Sequence, residues 1–300
     1  MMSSCTVRMP AKINLSLGVG PRRNDGYHEL ATIFQAVDLY DKISVVKSDE
    51  IELKMIGHEA AELPVDGKNL AVKAAKLLRH RYGTPELGAK IEITKKIPIA
   101  GGMAGGSGNA AAVLLACNMI WRLGLSKKRL AELALEVGSD VPFLLSGGTA
   151  VGYGRGEKLT ELPNSGKLNW VLATSRRGMS TPRVFEMFDA MKSSGDITPP
   201  DALVEALANN DRLAIAELLR NDLQPAVLSM RPDLRQVLAA GERAGALASI
   251  VSGSGPTCVF FVENRAMARR VASSISSCMG VASALPVSGP AIPSIHTQED

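Results

Sequence analysis

Residues 98–112 of this chain read PIAGGMAGGSGNAAA, and they constrain its structure more than any other segment. Five of the eight residues from Gly101 to Gly108 are glycine, and an almost wholly apolar stretch follows. Glycine lets a backbone approach a ligand closely and turn its N–H groups towards it, which packing alone does not require. The positive end of a buried helix predicted over residues 109–123 would face the same loop. The segment therefore predicts an anion-binding loop at a helix N-terminus.

The sequence of the glycine cluster also allows other interpretations. It could be a flexible connection between a strand and a helix. Residues 106–111 also satisfy G-x-G-x-x-A, the pattern of a dinucleotide-binding turn, although they lie beyond a meander of strands rather than in a first βαβ unit. A Walker A loop is excluded because no lysine follows Gly106, and a protein-kinase glycine loop should lead into a strand.

The segments before the loop predict strands. In residues 7–19, apolar side chains alternate with polar ones, so Lys12 and Asn14 should lie on one face of a strand. The sequence PRRNDG of residues 21–26 predicts a turn, and residues 27–46 predict further strand in a meander or hairpin.

Helices and strands alternate in the rest of the chain, which indicates an α+β fold. Asn69 and Ser126 are candidate N-caps for helices over residues 70–82 and 127–137, the second of which should end at Gly138. Strands are predicted at 51–56, 89–95, 247–251 and 257–262. A break near residues 163–166 predicts two domains, 1–163 and 164–300, and the proline-containing tail after residue 285 is expected to be frayed or draped on the surface.

Composition limits the possible partners. The net charge of +4, from 34 basic and 30 acidic residues, is spread along the chain, so we expect no nucleic acid partner. No apolar run approaches the ~18 residues of a membrane span, and we expect no membrane association. The four cysteines lack C-x-x-C spacing, which indicates a reducing compartment and no zinc site. These features together predict a cytoplasmic protein.

Three further segments carry side chains suited to chemistry or binding. Residues 138–143, GSDVPF, place Asp140 at a turn, where it could cap a helix or act on a ligand. Residues 252–257, SGSGPT, could be a simple turn or a second wall of small residues around a ligand. In residues 25–29, DGYHE, Tyr27 and His28 could close an edge of the core or contact a nucleobase.

Three of these stretches occur in a familiar order. PAKINLSL (residues 10–17), the glycine-rich segment 98–111 and SGSGPT resemble the three motifs of the GHMP kinase superfamily of small-molecule kinases. DGYHEL (25–30) and GSDVPF resemble the branch that phosphorylates the 2-hydroxyl group of 4-diphosphocytidyl-2-C-methyl-D-erythritol in the non-mevalonate pathway of isoprenoid synthesis. The resemblance implies an N-terminal domain like domain 2 of ribosomal protein S5 and a ferredoxin-like C-terminal domain, with ATP and Mg2+ as cofactors.

The resemblance also implies roles for individual residues. Lys12 and Asp140 match the catalytic pair, and the residues that match the acceptor site are Asn14, Tyr27, His28, Thr181 and Phe185. The residues that match the ATP loop are Pro98, Gly101, Gly102, Met103, Ala104, Gly105, Gly106, Ser107, Gly108 and Asn109. The superfamily often has serine where this chain has Gly108, so no metal ligand is assigned.

The sequence motifs are also compatible with three other functions. Another GHMP kinase, of the homoserine or mevalonate type, is one, although an acceptor without a nucleobase has no use for Tyr27 and His28. An NAD-dependent oxidoreductase using residues 106–111 is a second, and a nucleotide-binding protein without activity is a third.

Overall fold

The computed structural model describes residues 2–57, 60–163, 166–191, 197 and 201–299. Its strands are β1 (Met2–Arg22), β2 (His28–Ser48), β3 (Ile51–Ile56), β4 (Gly88–Thr94), β5 (Thr149–Gly154), β6 (Lys158–Glu161), β7 (Leu168–Ser175), β8 (Arg220–Asn221), β9 (Ala248–Val251), β10 (Cys258–Val262), β11 (Val281–Gly289) and β12 (Ser294–Glu299). Its helices are α1 (Leu70–Tyr82), α2 (Gly105–Ile120), α3 (Lys127–Val137), α4 (Val141–Ser146), α5 (Thr181–Ala190), α6 (Asp201–Ala208), α7 (Arg212–Leu218), α8 (Gln224–Met230), α9 (Leu234–Arg243) and α10 (Arg265–Ile275). A short 3-10 helix, Ala60–Glu62, precedes α1.

Within the described residues, the strands form two sheets. In the first, β12, β1, β2, β4 and β3 lie side by side in that order, β5 and β6 extend from β2, and β8 pairs with β1. In the second, the order is β11, β7, β10 and β9. The α+β class predicted from the sequence is confirmed.

The first sheet is organised around the antiparallel pair β1 and β2. The two strands pair along most of their length, with irregularities after Pro10, Asn14 and Val19. The first part of β2 also pairs with β5, and its last part pairs with β4. Because side chains alternate along a strand, Lys12 and Asn14 share a face of β1, as predicted.

Helices α1 and α3 have the predicted bounds, and their first turns show why. The Asn69 side chain accepts a hydrogen bond from the backbone N–H of Ala71, and the Ser126 side chain accepts one from the N–H of Arg129. Each cap supplies an acceptor to an N–H group that has none within the helix. Helix α3 ends before Gly138, also as predicted.

Helix α2 begins at Gly105, earlier than the predicted start at residue 109. The second half of the glycine cluster therefore forms the first helical turn rather than a loop. A Cβ atom added at Gly105 would lie 2.9 Å from Lys95 Nζ, and one at Gly108 would lie 3.0 Å from Met9 Cγ. Both contacts are tight, so a side chain at either position would require its neighbours to shift, and packing contributes to the need for glycine there.

The described residues contain three clusters of buried apolar side chains. One packs α1, α2 and α3 on the first sheet, and another packs α5, α8, α9 and α10 on the second. The third joins Ile13 and Leu15 of β1 to Trp170 of β7 and Phe261 of β10. Burial of apolar surface in this third cluster fixes β1 against the second sheet.

The tail is not draped on the surface, and this prediction is wrong. Strand β11 pairs with β7 at the edge of the second sheet, and β12 pairs with β1 in the first sheet, placing Ile295 opposite Val7. Prolines such as Pro286 obscure the strand pattern in the sequence. An edge strand tolerates proline because one side of its backbone has no strand to pair with.

The domain boundary after residue 163 stays a prediction, since residues 164 and 165 lie outside the described residues. The first sheet takes strands from both sides of that boundary, because β8 and β12 come after it. None of the helices in the described ranges combines the length and the apolar character that crossing a membrane requires.

Candidate active site

A cavity of about 730 Å³ lies where the first sheet, the N-terminus of α2 and α5 meet. Its volume is within the range of small-molecule sites. The predicted site residues that line it are Lys12, Asn14, Tyr27, His28, Pro98, Gly101, Gly102, Ala104, Gly105, Gly106, Ser107, Asn109, Asp140, Thr181 and Phe185. The fold therefore brings into one cavity residues that lie in separate parts of the sequence.

Met103 and Gly108, the other two predicted site residues, are both described but do not line the cavity, and their assignment to the ATP loop stays a prediction. The Met103 side chain is buried in the cluster shared by the two sheets, and its carbonyl oxygen accepts a hydrogen bond from the N–H of Lys12. The Gly108 N–H donates to the carbonyl of Ala104 within the helix. Because a Cβ at 108 would face Met9 and Leu144, a serine there would direct its hydroxyl towards the core.

Lys12 lies at the base of the cavity with its side chain almost closed to solvent. The residue is 6% exposed, and its ammonium group donates a hydrogen bond of 2.8 Å to Asn14 Oδ1. Burial lowers the pKa of Lys12, and the negative charge of Asp140 opposes this by raising it. The two charges therefore influence each other across a poorly solvated site, where electrostatic interactions are stronger than in water.

Asn14 is held in one orientation. Its Nδ2 donates to Thr32 Oγ1 at 2.9 Å, and that hydroxyl donates to the carbonyl oxygen of Ser16 at 2.6 Å. With Nδ2 engaged in this way, Oδ1 faces Lys12. A chain of hydrogen bonds from β2 thus fixes the amide that positions the lysine.

Asp140 occupies the position immediately before α4. Among the described residues of that helix, no N–H group donates to its carboxylate, so the capping interpretation is not supported. Pro142 removes one of the donors that a capping side chain could use. The carboxylate of Asp140 therefore remains able to interact with Lys12 and with a ligand in the cavity.

The N-terminus of α2 forms the cavity wall suited to an anion. Gly105, Gly106 and Ser107 all line it, and the first N–H groups of a helix have no acceptor within the helix. The helix runs for 16 residues, so its dipole adds partial positive charge at this end. The arrangement favours phosphate oxygens.

The SGSGPT segment packs directly on the glycine loop. Gly102 has a φ angle of 75°, and a Cβ added there would lie 2.5 Å from the carbonyl oxygen of Ser252. Ser254 hydrogen-bonds to Thr181 through their hydroxyl oxygens, 2.8 Å apart. Gly253 and Ser254 line the cavity, so the segment forms the second wall of small residues that the sequence suggested.

The aromatic part of the cavity is formed by β2 and α5. His28 is buried, and its ring stacks on Phe185 with centroids 4.9 Å apart. Its Nε2 lies 2.8 Å from Asp189 Oδ1. Tyr27 is 52% exposed, and the guanidinium group of Arg155 lies 4.7 Å from the centroid of its ring. His28 thus combines a position in the core with a position in the cavity wall, which the sequence alone left as alternatives.

A buried charged network behind α2 was not predicted. Asp41 is fully buried and forms an ion pair with Lys95. Its carboxylate also accepts a hydrogen bond from Asn109 Nδ2. Two further hydrogen bonds come from the backbone N–H groups of Lys96 and Ile97. These bonds tie α2 and the residues just before the glycine-rich segment to β2. Lys95 lines the cavity.

Sequence reasoning missed this network because nothing local links Asp41 to a lysine 54 residues later. The signal that could have drawn attention to it is the pair Lys95 and Lys96, separated from the glycine-rich segment by one residue. Arg155 and Asp189, which contact Tyr27 and His28, were missed for the same reason. In the described part of the chain, no group of three or more His, Cys, Asp or Glu side chains could hold a metal ion.

Comparison with known proteins gives matches over most of the chain. The family model for the GHMP kinases N terminal domain matches residues 69–148, and the model for the GHMP kinases C terminal domain matches residues 203–281. The "4-diphosphocytidyl-2-C-methyl-D-erythritol kinase" of Mycolicibacterium smegmatis is 48% identical over 96% of this chain and 90% of its own length. The protein of the same name from Nocardia farcinica is 47% identical over 96% of this chain and 94% of its own.

Solved structures agree with these matches. A crystal structure of 4-(cytidine 5'-diphospho)-2C-methyl-D-erythritol kinase is 32% identical, with a TM-score of 0.77 over 94% of this chain and 98% of that one. A homoserine kinase from Cytophaga hutchinsonii is 20% identical, with a TM-score of 0.78 over 99% of this chain and 98% of that one, and it shows the shared fold. The predicted two-domain GHMP kinase fold is confirmed as a fold class. By these identities and coverages, the chain belongs to the 4-diphosphocytidyl-2-C-methyl-D-erythritol kinase family of the GHMP kinases.

Proposed function

We propose that this chain transfers the γ-phosphoryl group of ATP to the 2-hydroxyl group of 4-diphosphocytidyl-2-C-methyl-D-erythritol, a step of the non-mevalonate route to isopentenyl diphosphate and terpenoids. The observation that carries the proposal is the content of one cavity: the Lys12–Asn14 pair, Asp140, the N-terminus of α2 and the aromatic group around His28. A phosphate site and an aromatic site in one cavity suit a donor triphosphate and a cytidine-bearing acceptor.

The phosphates of ATP would bind at the start of α2. The N–H groups of Gly105, Gly106 and Ser107 are the donors suited to them, and each charge-assisted hydrogen bond of this kind contributes roughly 1.5–3 kcal/mol. Asp41 and Lys95 support this wall from behind. Phosphoryl transfer depends mainly on such positioning and on charge stabilisation.

The reaction itself needs a group that takes up the proton of the acceptor hydroxyl. The Asp140 carboxylate would accept this proton as the hydroxyl oxygen attacks the γ-phosphorus atom, and ADP would leave with the electrons of the broken P–O bond. The Lys12 ammonium would stabilise the negative charge that develops on the transferred group. Asn14 fixes the direction of that ammonium group.

The acceptor's cytidine would bind in the aromatic part of the cavity. Tyr27 presents an exposed ring, and Phe185 and His28 form a stacked pair beside it. Flat aromatic surfaces suit a nucleobase. Thr181 at the start of α5 would face the part of the acceptor that links the base to the sugar alcohol.

The residues present fit Mg2+ that arrives with ATP. This ion usually keeps several waters and takes one or two protein oxygens together with substrate phosphates, so a dedicated cluster of ligands is not required. The Ser107 hydroxyl, at the start of α2, is an oxygen donor of the cavity wall suited to such a role. Bound Mg2+ would neutralise phosphate charge.

We further propose two domains, residues 1–163 and 164–300, with ATP and the acceptor bound between them. A cytoplasmic location is part of the proposal, supported by four cysteines that all carry free thiols. The net charge of +4 gives no reason to propose a nucleic acid partner.

The test is ADP release by the purified chain with Mg-ATP and one acceptor at a time: 4-diphosphocytidyl-2-C-methyl-D-erythritol, mevalonate, homoserine or galactose. We expect turnover with the cytidyl compound alone. Turnover with a different acceptor would retain the kinase class and overturn the acceptor, whereas ATP binding without turnover of any acceptor would overturn the proposed reaction.

A further inference from the structure

The side chains around His28 fix both its ring plane and one of its nitrogens. Phe185 stacks on the imidazole, with 25° between the ring planes, and Phe188 meets it edge-on at 6.1 Å. Asp189 Oδ1 lies 2.8 Å from Nε2. All three partners belong to α5, and Phe185 and Asp189 lie four positions apart on one face of that helix.

The carboxylate partner determines which ring nitrogen carries the proton. An ionised carboxylate only accepts hydrogen bonds, so Nε2 must donate, and in a neutral imidazole Nδ1 is then an acceptor. In the described part of the chain, Nδ1 has no hydrogen-bond partner, although His28 lines the cavity. His28 therefore offers a ligand an acceptor atom in a fixed orientation.

We propose that Asp189 is a positioning residue that sets the tautomer of His28, so that His28 selects a nucleobase bearing an amino group over one bearing a carbonyl group at the same place. The inference rests on the proposed function, since cytosine carries an exocyclic amino group where uracil carries an oxygen. An acceptor nitrogen bonds the amino group and leaves the uracil oxygen facing a second acceptor. Discrimination of this kind is large when the unmatched polar groups are buried.

The kinetic test compares the cytidyl acceptor with its uridyl counterpart in Asp189→Asn. The amide can accept from Nε2 through Oδ1 or donate to it from Nδ2, so the proton is no longer held on Nε2 and the tautomer with the proton on Nδ1 becomes populated. We expect the KM for the cytidyl acceptor to rise about tenfold and the cytidyl-over-uridyl ratio of kcat/KM to fall about tenfold. The kcat with the cytidyl acceptor and the KM for ATP should change less than about twofold.

The matched control is Asp49→Asn, in the exposed turn between β2 and β3 and outside the cavity wall. It makes the same chemical change away from His28 and should leave all four parameters unchanged. An unchanged cytidyl KM in Asp189→Asn would overturn the proposal. Equal losses with both acceptors would overturn it as well, because a purely structural role of Asp189 would affect both alike.

A second measurement on the unmodified chain does not depend on turnover. The chain has four histidines, so 15N NMR of its imidazole groups, with His28→Gln to assign the signal, identifies the protonated nitrogen of His28. We expect a proton on Nε2 and a bare Nδ1. A proton on Nδ1, or on both nitrogens, at neutral pH would overturn the proposal even if the acceptor were different.

The two experiments separate the two conclusions. If neither acceptor is phosphorylated by the unmodified chain, the proposed function fails and the NMR result alone decides the tautomer. If the cytidyl compound is phosphorylated and Asp189→Asn does not fold, the NMR result again decides. If the chain phosphorylates the cytidyl compound but the NMR spectrum shows the proton on Nδ1, the proposed function stands and the proposed role of Asp189 is overturned.

Discussion

Lys12 holds an ammonium group where water has little access. Burial lowers its pKa, and Asp140 raises it only in part, so the charged form should be lost at a lower pH than for an ordinary lysine. If the charge is needed for transfer, activity is full below that pKa and falls as the pH rises through it. We expect an alkaline limb in the pH profile of kcat/KM that begins below the normal range of lysine.

Lys12→Arg provides the control for this profile, because a guanidinium group stays charged across the accessible pH range. Its residual activity should lack the alkaline limb. An unchanged limb in this variant would mean that a different group titrates.

Asp140 is expected to act on the acceptor rather than on ATP. Asp140→Asn keeps the size of the side chain and removes the basic group, so turnover should fall by roughly 10²- to 10⁴-fold. ATP affinity, measured by isothermal titration, should be largely unchanged, because the proposed phosphate donors lie on α2. A comparable loss of ATP affinity would instead assign Asp140 a structural role.

At the scale of elements, the cavity depends on two glycine-containing loops in direct contact. Gly102→Ala should displace them, since the new Cβ would lie 2.5 Å from the carbonyl oxygen of Ser252. We expect ATP affinity to fall about tenfold or more, measured by titration calorimetry, because the loop before α2 would move.

Gly124→Ala is the matched control for this substitution. Gly124 also has a positive φ angle, of 64°, but apart from its own chain neighbours no atom of the described residues lies within 4 Å of an added Cβ. Gly124→Ala should lower the free energy of unfolding by roughly 1 kcal/mol, through backbone strain alone, and should leave ATP affinity unchanged. Equal effects of the two substitutions on ATP affinity would argue against the contact between the loops.

At the scale of the whole molecule, the last strand connects the end of the chain to its beginning. Ending the chain after Pro293 removes β12 and leaves the edge of β1 unpaired. We expect the free energy of unfolding in urea to fall by roughly 1–3 kcal/mol, from the lost strand pairing. Removal of Asp300 alone is the control, and an unchanged urea midpoint for the longer truncation would show that β12 does not contribute.

Local sequence patterns predicted the elements whose stability is local. Alternation gave β1 and the shared face of Lys12 and Asn14, and capping side chains gave the bounds of α1 and α3. The motifs at residues 98–111 and 252–257 indicated the glycine-rich loop before α2 and the segment that packs on it. These features depend on residues close together in the chain, where periodicity, capping and glycine content act directly.

Tertiary structure decided the features that depend on distant partners. Helix α2 begins at Gly105, where its glycines let it lie close to Lys95 and Met9, although glycine disfavours helices when nothing else acts. The tail becomes two strands because unpaired edges of two sheets are available to it.

Dependence on residues that are distant in the sequence also explains which parts of the site the sequence did not predict. The sequence by itself determined the glycine-rich motif and the alternating strand before it, and it predicts which residues carry the phosphate-binding and catalytic chemistry that the family relation implies. Only the fold brought Asp41 to Lys95, and Asp189 to His28, across 54 and 161 residues of chain. Packing of apolar surface supplies the free energy that holds these polar partners together, and its geometry cannot be read from either partner's local sequence.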